Sequence, residues 1–239
     1  MNKEELLAEL KDINIELSEE QINKIEKFCT LLISENQKYN LTAIKKYEEI
    51  LLKHVYDSLT IVKAADLKKY ADLLDIGSGA GFPGIILKIV FPNLDVTLLD
   101  ANRKKTGFLE LVKKELKLDK LTIISDRAEN YVVDNRERFD IVTARAVANL
   151  SILLELSVPY QKIGGLFIAM KSNLEKEIDA GKEACKLLKC EIKEIIEFEL
   201  PIEKSKRTLV TVTKQVKTPN DYPRAYDKIL KKPLKINPK

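Results

Sequence analysis

The apolar positions of this chain follow two rhythms. Up to about residue 66 they recur at helical spacing: Ile22, Ile25, Phe28, Cys29, Leu32 and Ile33 return every three or four residues and fall on one helix face. Ser18 with Gln21 three positions later resembles a capping box at the start of that helix. A polar break at 36–40 predicts its end, and a second helical run is expected over 47–65. From residue 71 short apolar runs alternate with amphipathic stretches. Strands are expected at 71–76, 95–99, 121–124, 139–143 and 166–170, with helices at 84–90, 104–116, 150–158 and 174–188. Segments 191–199 and 207–213 read as a closing strand pair. Repeated βα alternation predicts a mainly parallel sheet with helices on both faces. The expected fold is therefore doubly wound α/β, a seven-stranded Rossmann-like sheet with an N-terminal helical extension. The expected division is 1–66 (helical subdomain), 67–214 (main domain) and 215–239 (basic tail).

Composition narrows the class only slightly. Of 239 residues, 45% are hydrophobic and 33% charged, which is ordinary for a globular protein. No run approaches the roughly 18 apolar residues of a membrane span. Residues 1–10 are acidic and amphipathic and lack a basic start and apolar run, so a cytoplasmic protein is expected. The three cysteines, Cys29, Cys185 and Cys190, form no CxxC pair and read as small buried hydrophobes. Charge is uneven. From Lys214 to Lys239 eight Lys/Arg stand against two Asp, a net of +6, so the rest sums to −2. Tyr222, Pro223 and Tyr226 interleave with these cations. The tail suits nucleic acid, or is a solvated segment.

The chemistry concentrates after the first strand. Gly77, Gly79 and Gly81 alternate there, followed by Phe82, Pro83 and Gly84 at a helix start. Such glycines let the backbone turn sharply and a ligand approach closely, beside the donors of a helix N-terminus. The second strand ends in Asp100, where a carboxylate can accept both hydroxyls of a ribose. Dinucleotide sites use the same arrangement, so glycines and one acid do not identify the cofactor. Asp75, two positions before the first glycine, tips the balance. An acid is unfavourable beside a pyrophosphate and tolerable beside a sulfonium, which favours S-adenosylmethionine. After the third strand, Ala128 and Glu129 lie where an adenine edge would sit, although Glu129 also suits a helix N-terminus for its charge alone.

The fourth strand leads into Arg145. An Asn/Asp-Pro-Pro-aromatic turn for amine methylation is absent, and no cysteine lies nearby for pyrimidine C5 chemistry. No constellation for deprotonating a hydroxyl is evident, and the only histidine, His54, is in the helical part. An acceptor with a free lone pair remains, and guanine N7 is one. Its methylation needs in-line positioning and stabilisation of the cation formed, not a general base. The base would have to lie in a loop or be flipped out. Arg145 is a candidate for positioning a phosphate, the guanine or the cofactor, or a salt bridge at a strand end. A methyltransferase for protein or small molecules, a non-catalytic RNA-binding scaffold and a dehydrogenase are the competing classes.

Nearly the whole chain resembles the bacterial small-subunit ribosomal RNA methyltransferase G family, also called glucose-inhibited division protein B. The resemblance rests on Tyr39, Asn40, Leu41, Thr42, Ala43 and Ile44, on His54, Asp57, Ser58 and Leu59, and on segments 75–85, 98–100, 103–109, 127–129, 139–146 and 207–214. Tyr222, Pro223 and Arg224 with 231–234 complete it. It implies N7 methylation of one guanine in the decoding-region loop of 16S rRNA on the small ribosomal subunit, with S-adenosylmethionine as donor. It implies cofactor contacts from Gly77, Phe82, Ala128, Glu129 and Arg145, while Asp100 as ribose ligand follows from its strand end. Lys104, Lys105, Lys171 and Arg224 are candidate RNA contacts, no metal is expected, and nothing demands a dimer. In that motif His54 is expected to bond the helical part to the main domain, in preference to touching RNA.

Overall fold

The computed structural model describes residues 1–145, 148–174 and 177–234. Ala146 and Val147, the first residues of the expected 174–188 helix after Leu174, and the tail beyond Leu234 lie outside the described residues.

Two helices open the chain. Helix α1 (Lys3–Asp12) and helix α2 (Glu19–Tyr39) each begin with a reciprocal capping box, Asn2 with Glu5 and Ser18 with Gln21. The helix ends within the polar break at 36–40, at its last residue, not its first. Asn36 is buried inside α2, its amide donating to Thr42 O (2.9 Å) and its carbonyl accepting from Thr42 N (2.9 Å). The helix stops only at Asn40, which takes the left-handed conformation that closes a helix C-terminus. The expected 47–65 helix is irregular: α3 (Tyr47–Ile50), a π-helical turn Leu51–Tyr56, α4 (Asp57–Leu59) and a 3₁₀ turn Thr60–Lys63. Such widened turns gather at functional sites.

The sheet follows. Strand β1 (Asp72–Ile76) leads to α5 (Gly84–Val90), β2 (Asp95–Leu99), α6 (Arg103–Leu116), β3 (Leu121–Ile124), α7 (Ala128–Tyr131), β4 (Phe139–Arg145), α8 (Leu150–Ser157), β5 (Gln161–Lys171), α9 (Ile178–Leu188), β6 (Glu191–Glu199), β7 (Lys206–Thr213) and α10 (Tyr226–Lys231). Strand order is β3-β2-β1-β4-β5-β7-β6, parallel from β1 to β5, with β7 antiparallel to both β5 and β6. Successive strand residues feed opposite faces. Leu73, Ile141 and Ile168 pack with α2, α5 and α6 in one core; Leu74, Val142 and Phe167 pack with α8 and α9 in the other. Both faces being covered explains why these strands read as continuous apolar runs. The N-terminal helices share the first core, so the sheet and the helical extension have one continuous interior on that side.

The register positions the site. Ile76 lies beside Leu99 on one side and Ala144 on the other, so Gly77, Asp100 and Arg145 leave three adjacent strands at one level. Strand order reverses between β1 and β4, and ligands of such sheets bind at that crevice, beyond the carboxyl ends.

Candidate active site

The glycine turn is built by its conformation. Gly77, Gly79 and Gly81 have φ of 67°, 58° and 99°, a region that side chains disfavour. The amides of Gly77 and Ser78 both donate to Leu99 O (2.7 and 3.2 Å), tying the turn to the end of β2. Asp75 is fully buried; its Oδ2 accepts from Gly84 N (2.9 Å) and so fixes the start of α5. Burial pushes its carboxyl up to about 7. The acid that suggested a sulfonium site lies beneath the turn instead of lining the cleft.

Above the turn lies a cleft of about 810 Å³, within the usual range for small-molecule sites. The predicted residues Gly77, Phe82, Asp100, Lys105, Ala128, Glu129, Arg145 and Lys171 all line it. Lys104 and Arg224 do not. Asp100 accepts from Gly79 N (2.9 Å) and Asn102 N (2.8 Å), which uses two of roughly four lone-pair directions and leaves acceptor capacity toward the cleft. Glu129, on the first turn of α7, lies 3.6 Å from Arg127, whose guanidinium stacks 5.0 Å from the Tyr226 ring. Lys171 is held by Ala148 O (2.7 Å) and Glu177 (2.8 Å). Arg224 forks onto the buried carboxylate of Glu155 at 2.7 and 2.6 Å.

At the other end, Arg145 joins the helical part to the sheet. Its guanidinium donates to Lys53 O (3.0 Å), Asp57 Oδ2 (3.2 Å) and His54 Nδ1 (3.0 Å) and rests 5.3 Å from the Phe82 ring. The His54 ring stacks on Phe82, centroids 4.4 Å apart. Asp57 receives Arg207 Nε on its other oxygen (3.1 Å). The salt bridge read as one option for Arg145 thus exists, and His54 bonds helix to domain. Burial and the adjacent guanidinium push the His54 ring down to about 3, so it is neutral at ordinary pH.

Thr42, Lys53, Asp57, Arg207 and Tyr226 also line the cleft, without having been singled out as site residues from the sequence. Asp57 sits three residues after His54, a spacing that places both on one helix face and offered the one usable signal.

Comparison with known proteins agrees with this geometry. A profile of the family described as rRNA small subunit methyltransferase G matches residues 21–209. The chain is similar to the ribosomal RNA small subunit methyltransferase G of Caldanaerobacter subterraneus (44% identity, 97% of this chain and 98% of that one) and of Bacillus subtilis (43%, 94% and 95%). Among solved structures it resembles a SAM dependent methyltransferase from Aquifex aeolicus, with a TM-score of 0.54, 16% identity, and 75% of this chain and 97% of that chain covered. That likeness shows the fold. The family match and the full-length relatives show the rest: the chain belongs to the rRNA small subunit methyltransferase G family.

Proposed function

We propose that the protein transfers a methyl group from S-adenosylmethionine to N7 of one guanine in the decoding-region loop of 16S rRNA. The observation that carries the reading is a single cleft at the strand-order reversal of a methyltransferase-family chain, with the glycine turn, Asp100 and Glu129 on its walls.

The residues fit such a donor. The turn leaves its backbone open to close approach, and Asp100 retains acceptor capacity for ribose hydroxyls. Glu129, with the adjacent backbone of Ala128, suits the amino edge of an adenine. S-adenosylmethionine, when bound, supplies a methyl group activated by a sulfonium. Phe82, packed by His54 and Arg145, forms a rigid apolar wall. Arg145 is a positioning residue: it fixes that wall and the strand end where the acceptor enters. Guanine N7 attacks through its own lone pair, so no side chain need remove a proton, and the His54 ring is already committed to Arg145 and Thr42. Lys104 and Lys105, at the start of α6 where cations oppose the helix dipole, serve as phosphate contacts. Lys171, paired with Glu177, shapes the wall beside the RNA, and Arg224, paired with Glu155, anchors the tail behind it. We place the protein in the cytoplasm as a monomer that meets the small ribosomal subunit; among the described residues no helix is long and apolar enough to cross a membrane.

The test uses methyl-labelled S-adenosylmethionine with small subunits from cells lacking the protein, followed by nucleoside analysis. Label in 7-methylguanosine is expected. Label that survives ribonuclease, or resides in another nucleoside, overturns the proposal.

A further inference from the structure

Thr42 has a constrained place in the cleft wall. Its hydroxyl lies 3.0 Å from His54 Nε2, and it also accepts from the amide of Ile44 at 3.2 Å. Its backbone is held on both sides by the Asn36 side chain, so the hydroxyl cannot drift.

The direction of the His54 bond follows from counting protons. An arginine guanidinium only donates, so Arg145 Nη2, 3.0 Å from His54 Nδ1, requires a lone pair on Nδ1. A neutral imidazole with Nδ1 bare carries its proton on Nε2. A second ring proton would point at a guanidinium in a buried site, and the ring is neutral for that reason. Nε2–H therefore donates to Thr42 Oγ1. Ile44 N–H occupies the second lone pair of the same oxygen. The hydroxyl's accepting capacity is then full, and its one remaining function is to donate. Among the described residues this hydroxyl makes no further hydrogen bond, and Thr42 lines the cleft.

We propose that Thr42 is a donor-only hydroxyl that gives its proton to an acceptor oxygen of the bound ligand, its polarity set by the chain Arg145, His54, Thr42. Resting on the reading above, that oxygen belongs either to the carboxylate of the donor's methionine part or to the keto group of the guanine. Both are pure acceptors, and an amino group at either place is rejected because two donors would meet. This makes Thr42 a ligand-binding residue and His54 the residue that orients it.

Two experiments test this. The chain has one histidine, so [15N]histidine labelling of the full protein reports it alone. At pH 7 Nε2 is expected as the protonated nitrogen and Nδ1 as the bare one; the reverse tautomer overturns the proposal. The second compares Thr42→Val with Thr42→Ser, in two arms: equilibrium affinity for S-adenosylmethionine, and kcat/KM on small subunits at saturating donor. Thr42→Val is expected to lose affinity or kcat/KM in one arm, about tenfold or less if the acceptor is the keto oxygen and more than about tenfold if it is the carboxylate, and Thr42→Ser to stay within about twofold. A loss in affinity assigns the oxygen to the methionine carboxylate. A loss confined to the RNA arm that vanishes when 2-aminopurine, which lacks the keto oxygen, replaces the target guanine assigns it to the base. Wild-type behaviour of Thr42→Val in both arms, or a loss in the RNA arm that persists with 2-aminopurine, overturns the proposal. Should wild-type protein bind the donor and methylate no RNA, the functional reading fails, and the tautomer and the affinity arm still decide the role of Thr42.

Discussion

His54 shows how one residue is defined by what surrounds it. Packed on Phe82 and facing Arg145, its ring has a folded pKa of about 3, against 6.5 in the open chain. The unfolded chain therefore takes up the proton first as pH falls. This contribution to stability is complete above about pH 6.5 and is lost progressively from there toward pH 3. The ring's NMR shifts are expected to stay flat from pH 8 to about 5, and His54→Gln should lessen the fall in urea midpoint between about pH 6.5 and 4. A ring titrating near 6.5 contradicts this. Gly84 makes a similar point by sterics. A Cβ there would collide with Leu98 Cδ2 and lie 2.8 Å from Asp75 Oδ2, both fully buried side chains. Gly84→Ala is expected to cost about 1–3 kcal/mol in denaturant unfolding, as overpacked cores do.

At the scale of elements, Asn36 holds the irregular N-terminal segment to α2 by two hydrogen bonds to the backbone of Thr42. Asn36→Ala should lower stability by about 1–2 kcal/mol, measured by denaturant unfolding, and should loosen Thr42 from His54 as well. The polar residues at 36–40 do mark the end of α2, but sequence polarity does not distinguish the solvated ones from Asn36, which is buried and bonded to its own chain. The sheet was more legible. Strands β2, β3 and β6 fall where alternation places them, since they depend on local pattern. Strand β5 begins earlier than its apolar run, at Gln161, whose buried amide bonds to Gly165 O and Val212 O. The glycine turn and Asp100 were readable because they belong to one βαβ unit. The partnership of Asp57 with Arg207 was not: the two lie 150 residues apart, and only the packing of β7 beside β5 brings them together.

Across the whole molecule, the basic tail is docked through Leu234, between the two alternatives its composition left open. Arg136 donates to the carbonyls of Thr218, Pro219 and Tyr222, and Ile229 is fully buried against Ile152 and Leu156. Arg224 pairs with Glu155, which is itself fully buried. The tail thereby brings Tyr226 to the cleft wall beside Arg127. Arg224→Ala leaves a buried carboxylate unpaired and is expected to cost about 3 kcal/mol, read as a lowered midpoint of unfolding. An unchanged midpoint contradicts the anchoring role. The proposed product is a methyl group on N7 of a single 16S guanine. Reduction of 16S rRNA with borohydride, aniline cleavage and primer extension through the decoding-region loop reads that modification directly. A stop at one guanine is predicted in cells with the protein, lost on deletion of its gene and restored by the wild-type copy. The same pattern with and without the gene would show that the protein does not place that methyl group.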